Sequence, residues 1–86
     1  MANVVIYTRD YCGYCARAKR LLDDRGIPYT EHNASIDPAK REEMIKRSGR
    51  RTFPQVFIDD LHVGGSDDLA AFDRSGRLVK ALEGAL

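Results

Sequence analysis

The chain has 86 residues, of which 43% are hydrophobic and 31% are charged, and its formal net charge is +1. This composition is ordinary for one globular domain spanning residues 1–86 with a single modest core. The near-neutral charge excludes the strongly basic footprint of most nucleic-acid-binding proteins. The apolar start, Val4–Tyr7, is far too short for a signal sequence or a membrane span. We therefore expect a cytoplasmic protein with neither nucleic acid nor a membrane as a partner.

The first half of the chain has the pattern strand, helix, strand, helix. Val4–Tyr7 is apolar throughout and predicts a strand covered on both faces. Apolar residues recur at helical spacing over Tyr14–Arg25, and Gly26 is expected to end that helix. Ile27–His32 predicts a second strand. Asp37–Ser48 predicts a second helix, because it begins with the Asp-Pro pair that is typical of a helix N-terminus.

The second half predicts a hairpin followed by helices. Gln55–Ile58 and Leu61–Val63 flank an Asp-Asp turn, a third helix is expected from Ser66, and Arg77–Leu82 predicts a last short helical segment. A crossover through a helix makes the first two strands parallel, while the hairpin adds antiparallel pairing. The fold class is therefore α/β, with a mixed four-stranded sheet flanked by helices in the order βαβα-ββα.

The two cysteines, Cys12 and Cys15, fall where the first strand gives way to the first helix. A disulfide that closes so short a loop would constrain the unfolded chain little, so a catalytic or metal-binding pair is favoured in a reducing compartment. A helix N-terminus stabilises a neighbouring thiolate through its unpaired N–H groups and its positive partial charge. Cys12, just outside the first turn, is the predicted attacking thiolate, and Arg9 adds a nearby cation. Cys15, inside the helix, is the predicted resolving thiol.

The residues alone leave two other interpretations of the cysteine pair. A zinc site usually needs four ligands, and the remaining candidates, His32 and His62, have no partner at ligand spacing. We therefore predict no metal ligands in the monomer. Two buried, inert cysteines would fit poorly with Tyr11, Gly13 and Tyr14, which suit an exposed loop.

Five segments of the sequence form a specific combination. They are Tyr7-Thr8-Arg9, Cys12-Gly13-Tyr14-Cys15, Lys40-Arg41-Glu42-Glu43-Met44, Thr52-Phe53-Pro54 and Gly64-Gly65-Ser66-Asp67-Asp68. Through them the chain resembles the glutaredoxins, from Asn3 to about Phe72. The resemblance implies a thioredoxin-like fold and an enzyme that uses glutathione as reducing co-substrate to reduce glutathione mixed disulfides and protein disulfides. Thioredoxins share the proline but not the Gly-Gly-Ser-Asp-Asp segment, so a protein reduced by thioredoxin reductase is the weaker alternative.

The resemblance also implies where glutathione binds. Pro54 is expected to be a cis proline that brings the backbone of Phe53 beside Cys12, where it can pair with the cysteine of glutathione. The amides of Ser66 and Asp67 would hold the γ-glutamyl carboxylate, with the Asp67 side chain on its ammonium group. Arg9 and Arg41 would face the glycine carboxylate, with Arg50 as a neighbouring candidate. The full set is Arg9, Tyr14, Arg41, Thr52, Phe53, Pro54, Gly65, Ser66 and Asp67.

Two residues depart from the family pattern. Most glutaredoxins have proline where Gly13 stands and a small aliphatic residue where Phe53 stands. Gly13 frees a backbone N–H, so an altered redox potential is expected. Family members without that proline can hold a [2Fe–2S] cluster between two chains, ligated by the first cysteine and glutathione, which makes a cluster carrier or redox sensor using Cys12 the alternative function. Otherwise we expect a monomer whose partners are glutathione and glutathionylated or disulfide-bonded proteins.

Overall fold

The computed structural model describes residues 2–84, and over this range it has an α/β fold with a mixed sheet between helices. The elements in chain order are β1 (Val4–Thr8), α1 (Gly13–Asp24), β2 (Thr30–Asn33), α2 (Pro38–Ser48), β3 (Gln55–Ile58), β4 (Leu61–Gly64), α3 (Ser66–Arg74) and α4 (Arg77–Leu82). The predicted fold class and element order are confirmed. Within residues 2–84, no helix has the length and apolarity needed to cross a membrane.

The sheet has the strand order β2-β1-β3-β4, with β1 parallel to β2 and the remaining pairs antiparallel. Every residue of the central strand β1 is buried, as its apolar sequence predicted. Successive side chains point to opposite faces of a strand. Ile6 therefore joins a cluster with Leu22 of α1 and Leu69 of α3, while Tyr7 joins a second cluster with Met44 of α2. Burying each such large apolar side chain stabilises the fold by roughly 1.5–3 kcal/mol.

The second strand begins at Thr30 rather than at the predicted Ile27, so that boundary was wrong. The N–H of Ile27 donates to the carbonyl of Leu22 at 2.9 Å and completes the end of α1 instead of entering the sheet. Pro28 has no N–H to offer a neighbouring strand. Pairing with β1 starts only at Thr30, opposite Val5. Helix α1 itself begins and ends one position earlier than predicted, and Gly26 ends it with a φ of +68°.

The strand register brings three chain segments to one end of the sheet. Tyr7, near the end of β1, lies opposite Gln55, the first residue of β3. Gly64, the last residue of β4, lies opposite Val56. The cysteine segment after β1, the loop before β3 and the segment that leads into α3 therefore meet at this end, and the candidate site lies there.

Candidate active site

Cys12 is the N-cap residue of α1, and its backbone is extended, with φ −117° and ψ 104°. Its sulfur accepts a hydrogen bond from the N–H of Cys15 at 3.1 Å and lies 3.9 Å from the carbonyl oxygen of Phe53. The side chain is half-buried, so a small reagent can reach it. An amide donor and the positive end of a helix both favour negative charge at this sulfur. This environment suits a nucleophilic thiolate.

Cys15 is only 2% exposed, in contrast to Cys12. Burial, together with its hydrogen bond to Cys12, raises the pKa of the Cys15 thiol to about 12. The thiol is therefore protonated at neutral pH and shielded from reagents in solution. A sulfur that is protonated, buried and one helical turn from Cys12 suits a thiol that reacts only with a bond formed at Cys12. The interpretation of both cysteines as buried is therefore wrong for Cys12.

The guanidinium group of Arg9 braces the loop that precedes Cys12. It donates to the carbonyl oxygens of Asp10 at 3.0 Å and Tyr11 at 3.2 Å. Its charge also favours the ionised form of Cys15, but burial has the larger effect on that pKa. Tyr11 has a left-handed φ of 55° and a fully exposed ring. The sequence predicted Arg9 as a nearby cation, and its role in shaping the loop is an addition from the structure.

Two grooves border the cysteine segment and share the residue Phe53. The first, here called the α3 groove, has a volume of about 210 Å³. Its lining residues are Tyr14, Arg50, Thr52, Phe53, Pro54, Gly65, Ser66, Asp67 and Asp68. The second, here called the Arg9–Arg41 groove, has a volume of about 230 Å³ and is lined by Arg9, Ala34, Ser35, Arg41 and Phe53. Every residue predicted to bind glutathione lines one of these two grooves. A larger hollow beside α1 and α3 contains none of them.

The Thr52–Pro54 loop joins the two grooves to Cys12. The Phe53–Pro54 peptide bond is cis, as the sequence resemblance predicted. The carbonyl oxygen of Phe53 faces the Cys12 sulfur. The ring of Phe53 packs against the core cluster that contains Tyr7 and Met44. The core therefore takes up part of the bulky ring that departs from the family pattern, and the Phe53 backbone stays next to the sulfur.

The first turn of α3 is organised by Asp68, which the sequence analysis did not single out as a site residue. Its carboxylate accepts from the N–H of Gly65 at 3.0 Å and from the guanidinium of Arg50 at 3.3 Å. The Gly65 amide, followed by Arg50, holds the pKa of Asp68 below its ordinary value. The next amides, those of Ser66 and Asp67, have no acceptor within the helix. An acidic residue three positions after the N-cap is a capping-box signal that could have identified Asp68.

The described part of the chain contains no group of three or more His, Cys, Asp or Glu side chains placed to hold a metal ion. One candidate of the zinc interpretation, His62, instead has its Nε2 atom 2.7 Å from the side-chain oxygen of Gln55. The zinc interpretation therefore has no support in residues 2–84.

Comparison with known proteins gives a consistent set of relatives. A family model described as glutaredoxin matches residues 4–63. Glutaredoxin 3 of Escherichia coli K12 is 58% identical over 83 residues, covering 96% of this chain and 100% of the relative. The solution structure of glutaredoxin from Brucella melitensis has a TM-score of 0.82 and 54% identity, covering 95% of this chain and 89% of that one. The crystal structure of a buckwheat glutaredoxin–glutathione complex has a TM-score of 0.86 and 33% identity, covering 98% and 79%.

Proposed function

The chain belongs to the glutaredoxin family of glutathione-dependent thiol–disulfide oxidoreductases, and on that premise we propose that Cys12 and Cys15 divide its reaction between them. Cys12 is the nucleophile in every cycle, and Cys15 is required only when the substrate is a protein disulfide. The observation that carries this proposal is the contrast at the N-terminus of α1. Cys12 is accessible and accepts an amide hydrogen bond, whereas the thiol of Cys15 is buried with a pKa of about 12.

With a glutathionylated protein, the Cys12 thiolate attacks the glutathione sulfur. A Cys12–glutathione disulfide forms, the bond between glutathione and the protein breaks, and the protein thiolate leaves and takes up a proton. The thiolate of a second glutathione then attacks the glutathione sulfur of this adduct. Oxidised glutathione leaves, and the Cys12 thiolate is restored. This route needs no other sulfur from the chain.

With a protein disulfide, the Cys12 thiolate attacks one of the two protein sulfurs. A mixed disulfide forms, the protein S–S bond breaks, and the other protein sulfur leaves as a thiolate that takes up a proton. Cys15 then transfers its proton to the departing protein thiolate and attacks the Cys12 sulfur, which leaves a Cys12–Cys15 disulfide and a reduced protein. Two molecules of glutathione then restore the dithiol and leave as oxidised glutathione. The high pKa of Cys15 suits this order, because the thiol stays protonated until Cys12 enters a mixed disulfide. Burial raises the pKa of Cys15 together with the hydrogen bond and the charge of Cys12, and these two contributions of Cys12 are then altered beside it.

We propose that glutathione lies across both grooves, with its sulfur at Cys12. The amides of Ser66 and Asp67 would hold the γ-glutamyl carboxylate, and the Asp67 carboxylate would pair with the adjacent ammonium. The backbone N–H and C=O of Phe53 would pair with the cysteine residue as an added strand. The glycine carboxylate would meet Arg9 and Arg41. The remaining members of the predicted set, Tyr14, Thr52, Pro54 and Gly65, form walls of the α3 groove.

The biological setting in this proposal is the cytoplasm, where thiols are kept reduced. The partners are glutathione and proteins that carry glutathione adducts or disulfides, and the working unit is the monomer. Both grooves and both cysteines come from one chain, which supports a monomeric enzyme.

A two-substrate assay tests the division of labour between the cysteines. Wild type, Cys12→Ser and Cys15→Ser are supplied with glutathione, glutathione reductase and NADPH, using either a glutathionylated peptide or insulin as substrate. Cys12→Ser should be inactive on both, while Cys15→Ser should lose insulin reduction and keep turnover of the peptide. Activity of Cys12→Ser on either substrate, or equal loss of both activities in Cys15→Ser, would contradict the proposal.

Matched surface variants test the proposed position of glutathione. Asp67→Asn and Arg41→Gln should each raise the KM for the glutathionylated peptide, because each removes a charge that faces the ligand. Asp60→Asn and Arg74→Gln remove the same charges from exposed positions outside both grooves and should leave KM unchanged. If Asp60→Asn changes KM as much as Asp67→Asn does, and Arg74→Gln as much as Arg41→Gln does, then long-range charge rather than contact with the ligand is responsible.

A [2Fe–2S] cluster shared by two chains remains a separate candidate function for Cys12. Within residues 2–84, one chain offers a single accessible sulfur, because Cys15 is buried. The residues of one chain therefore do not fit a resident cluster, and disulfide exchange requires none. Anaerobic reconstitution with iron, sulfide and glutathione tests this candidate. The expected product is a colourless monomer, and a coloured dimer whose iron content requires Cys12 would establish the cluster.

A further inference from the structure

The side chain of Gln55 is completely buried beneath the glutathione-binding loop. Its Nε2 atom donates to the carbonyl oxygen and to the hydroxyl oxygen of Thr52, both at 3.1 Å. Its Oε1 atom lies 2.7 Å from Nε2 of His62. A buried amide is costly unless its polar atoms are paired, and here both ends are engaged. The reverse orientation of the amide would turn its oxygen toward the Thr52 carbonyl, so the contacts require the orientation described.

His62 holds the other end of this amide from the neighbouring strand β4. Its ring stacks on Phe57, with centroids 4.8 Å apart and an interplanar angle of 24°. The guanidinium of Arg47 lies 4.0 Å from the centroid of the Phe57 ring. Burial, joined by the positive charge of Arg50, lowers the pKa of His62. A neutral ring with its proton on Nε2 donates to Gln55, and the protonated ring would donate from the same atom.

The side chain of Gln55 is linked to the α3 groove by its hydrogen bonds to Thr52. Thr52 and Phe53 line the α3 groove, but Gln55 and His62 line neither groove. The two hydrogen bonds to Thr52 fix its carbonyl and its side chain just before the peptide unit that faces Cys12. A rotation of the Thr52–Phe53 peptide would turn the Phe53 N–H away from a strand-like ligand. Through these hydrogen bonds, the buried side-chain amide of Gln55 in β3 sets the orientation of the Phe53 N–H toward the ligand.

We propose that Gln55, held in place by His62, is a positioning residue that orients the Thr52–Phe53 backbone for glutathione. The inference rests on the proposed function, in which the Phe53 backbone pairs with the cysteine residue of glutathione. It assigns the two residues no contact with glutathione or with either sulfur. Its consequence is separable from chemistry at Cys12: loss of the network weakens glutathione recognition and leaves the sulfur intrinsically as reactive as before.

Gln55→Met is the central test variant, because methionine has a similar unbranched shape and cannot form the three hydrogen bonds. The KM for a glutathionylated peptide should rise about tenfold, the size expected for losing well-placed hydrogen bonds in a binding loop. The rate of Cys12 alkylation by iodoacetamide should stay within twofold of wild type, since this small reagent does not use the α3 groove. His62→Phe keeps a ring on Phe57 but removes the donor to Gln55, and should give a smaller rise in KM.

Val56→Ala is the matched control for a purely structural effect. Val56 is the next residue of β3, is fully buried and belongs to the cluster on the other face of the sheet. Its substitution should lower the melting temperature and leave KM unchanged. The proposal is overturned if Gln55→Met leaves KM within twofold of wild type, if Val56→Ala raises KM equally, or if Cys12 alkylation slows in parallel with turnover. If Gln55→Met does not fold, His62→Phe takes its place. A KM of His62→Phe that rises no more than that of Val56→Ala then overturns the proposal.

Failure of the positioning role can be told apart from failure of the proposed function. If wild type shows no glutathione-dependent turnover, or if Cys12→Ser retains it, the proposed function is wrong. The KM of Gln55→Met then does not test the positioning role. If wild type is active and Cys12→Ser is not, a wild-type KM in Gln55→Met refutes the positioning role alone.

Discussion

Gly64 ends β4 with a φ of +119°, a conformation that residues with a side chain rarely adopt. A methyl group built there would overlap the carboxylate of Asp68 and lie 2.8 Å from its Cβ atom. In the native arrangement that carboxylate accepts from the N–H of Gly65 at 3.0 Å and caps α3. Gly64→Ala therefore imposes a disfavoured backbone conformation and displaces the cap. Gly76, with a φ of +80° and open space around it, experiences only the first of these effects when it is replaced.

The size of the effect follows from these two contributions. A left-handed conformation costs a residue with a side chain about 1–2 kcal/mol, and loss of an N-terminal cap costs about 0.5–2 kcal/mol. Gly64→Ala should therefore lower the free energy of unfolding by about 1.5–4 kcal/mol, and Gly76→Ala by about 1–2 kcal/mol. For a domain of this size, about 3 kcal/mol corresponds to a fall of roughly 12–24 °C in melting temperature.

Urea denaturation followed by circular dichroism measures both variants on the same scale. Gly64→Ala should also raise the KM for a glutathionylated peptide, because the displaced Asp68 side chain lines the α3 groove. Gly76→Ala should leave KM unchanged, since Gly76 precedes α4 and lies outside both grooves. If the two variants are equally stable, the displacement of Asp68 has no energetic consequence and the reasoning is refuted.

Three further predictions concern individual ionisable groups. Asp68→Asn weakens the charged cap on Gly65, so thermal denaturation at pH 7 should show a melting temperature several degrees lower, and no change would contradict the capping role. A hydrogen bond from Thr8 holds the pKa of Glu31 below its ordinary value. Ionised Glu31 therefore stabilises the fold above a pH of about 4.3, and this stabilisation is lost as the pH falls through the pKa of Glu31 in the folded protein. Urea midpoints at pH 7 and pH 3 should differ less in Glu31→Gln than in wild type, and an equal difference would count against this assignment. In the Cys12→Ser variant, iodoacetamide at pH 8 should modify Cys15 at least about 100-fold more slowly in the folded protein than in the unfolded protein, because Cys15 is buried and its pKa is raised. Similar rates in the two states would contradict both properties.

The element order could be predicted because its signals are local. Gly26 has the positive φ expected at a helix end, and Asp37 accepts from the N–H of Ala39 at 3.1 Å, as expected for an N-cap. The start of β2 was missed because Ile27 and Tyr29 have the composition of a strand. Only the structure shows that the N–H of Ile27 is used to finish α1. Composition does not show whether the N–H of Ile27 donates to the end of α1 or to a neighbouring strand.

The members of the two grooves were predictable through family motifs, but the interactions that hold the groove walls in place were not. The contact between Arg50 and Asp68 joins two segments that are distant in the chain. The contact between Gln55 and His62 depends on the register of β3 and β4, which includes an irregularity between Val56 and Phe57. A one-residue change in register would turn the side chains of β4 to the opposite face of the sheet. No local pattern in the sequence specifies that register.

The central claim is that the accessible sulfur of Cys12, rather than that of Cys15, forms the bond to glutathione. The most direct measurement mixes the reduced wild-type protein briefly with oxidised glutathione, quenches with acid and locates the adduct by peptide mass spectrometry. The account predicts that the glutathione mass shift appears on the fragment ion containing Cys12 alone, and that Cys12→Ser forms no adduct on this timescale. Glutathione on Cys15, or on both cysteines equally, would contradict the account.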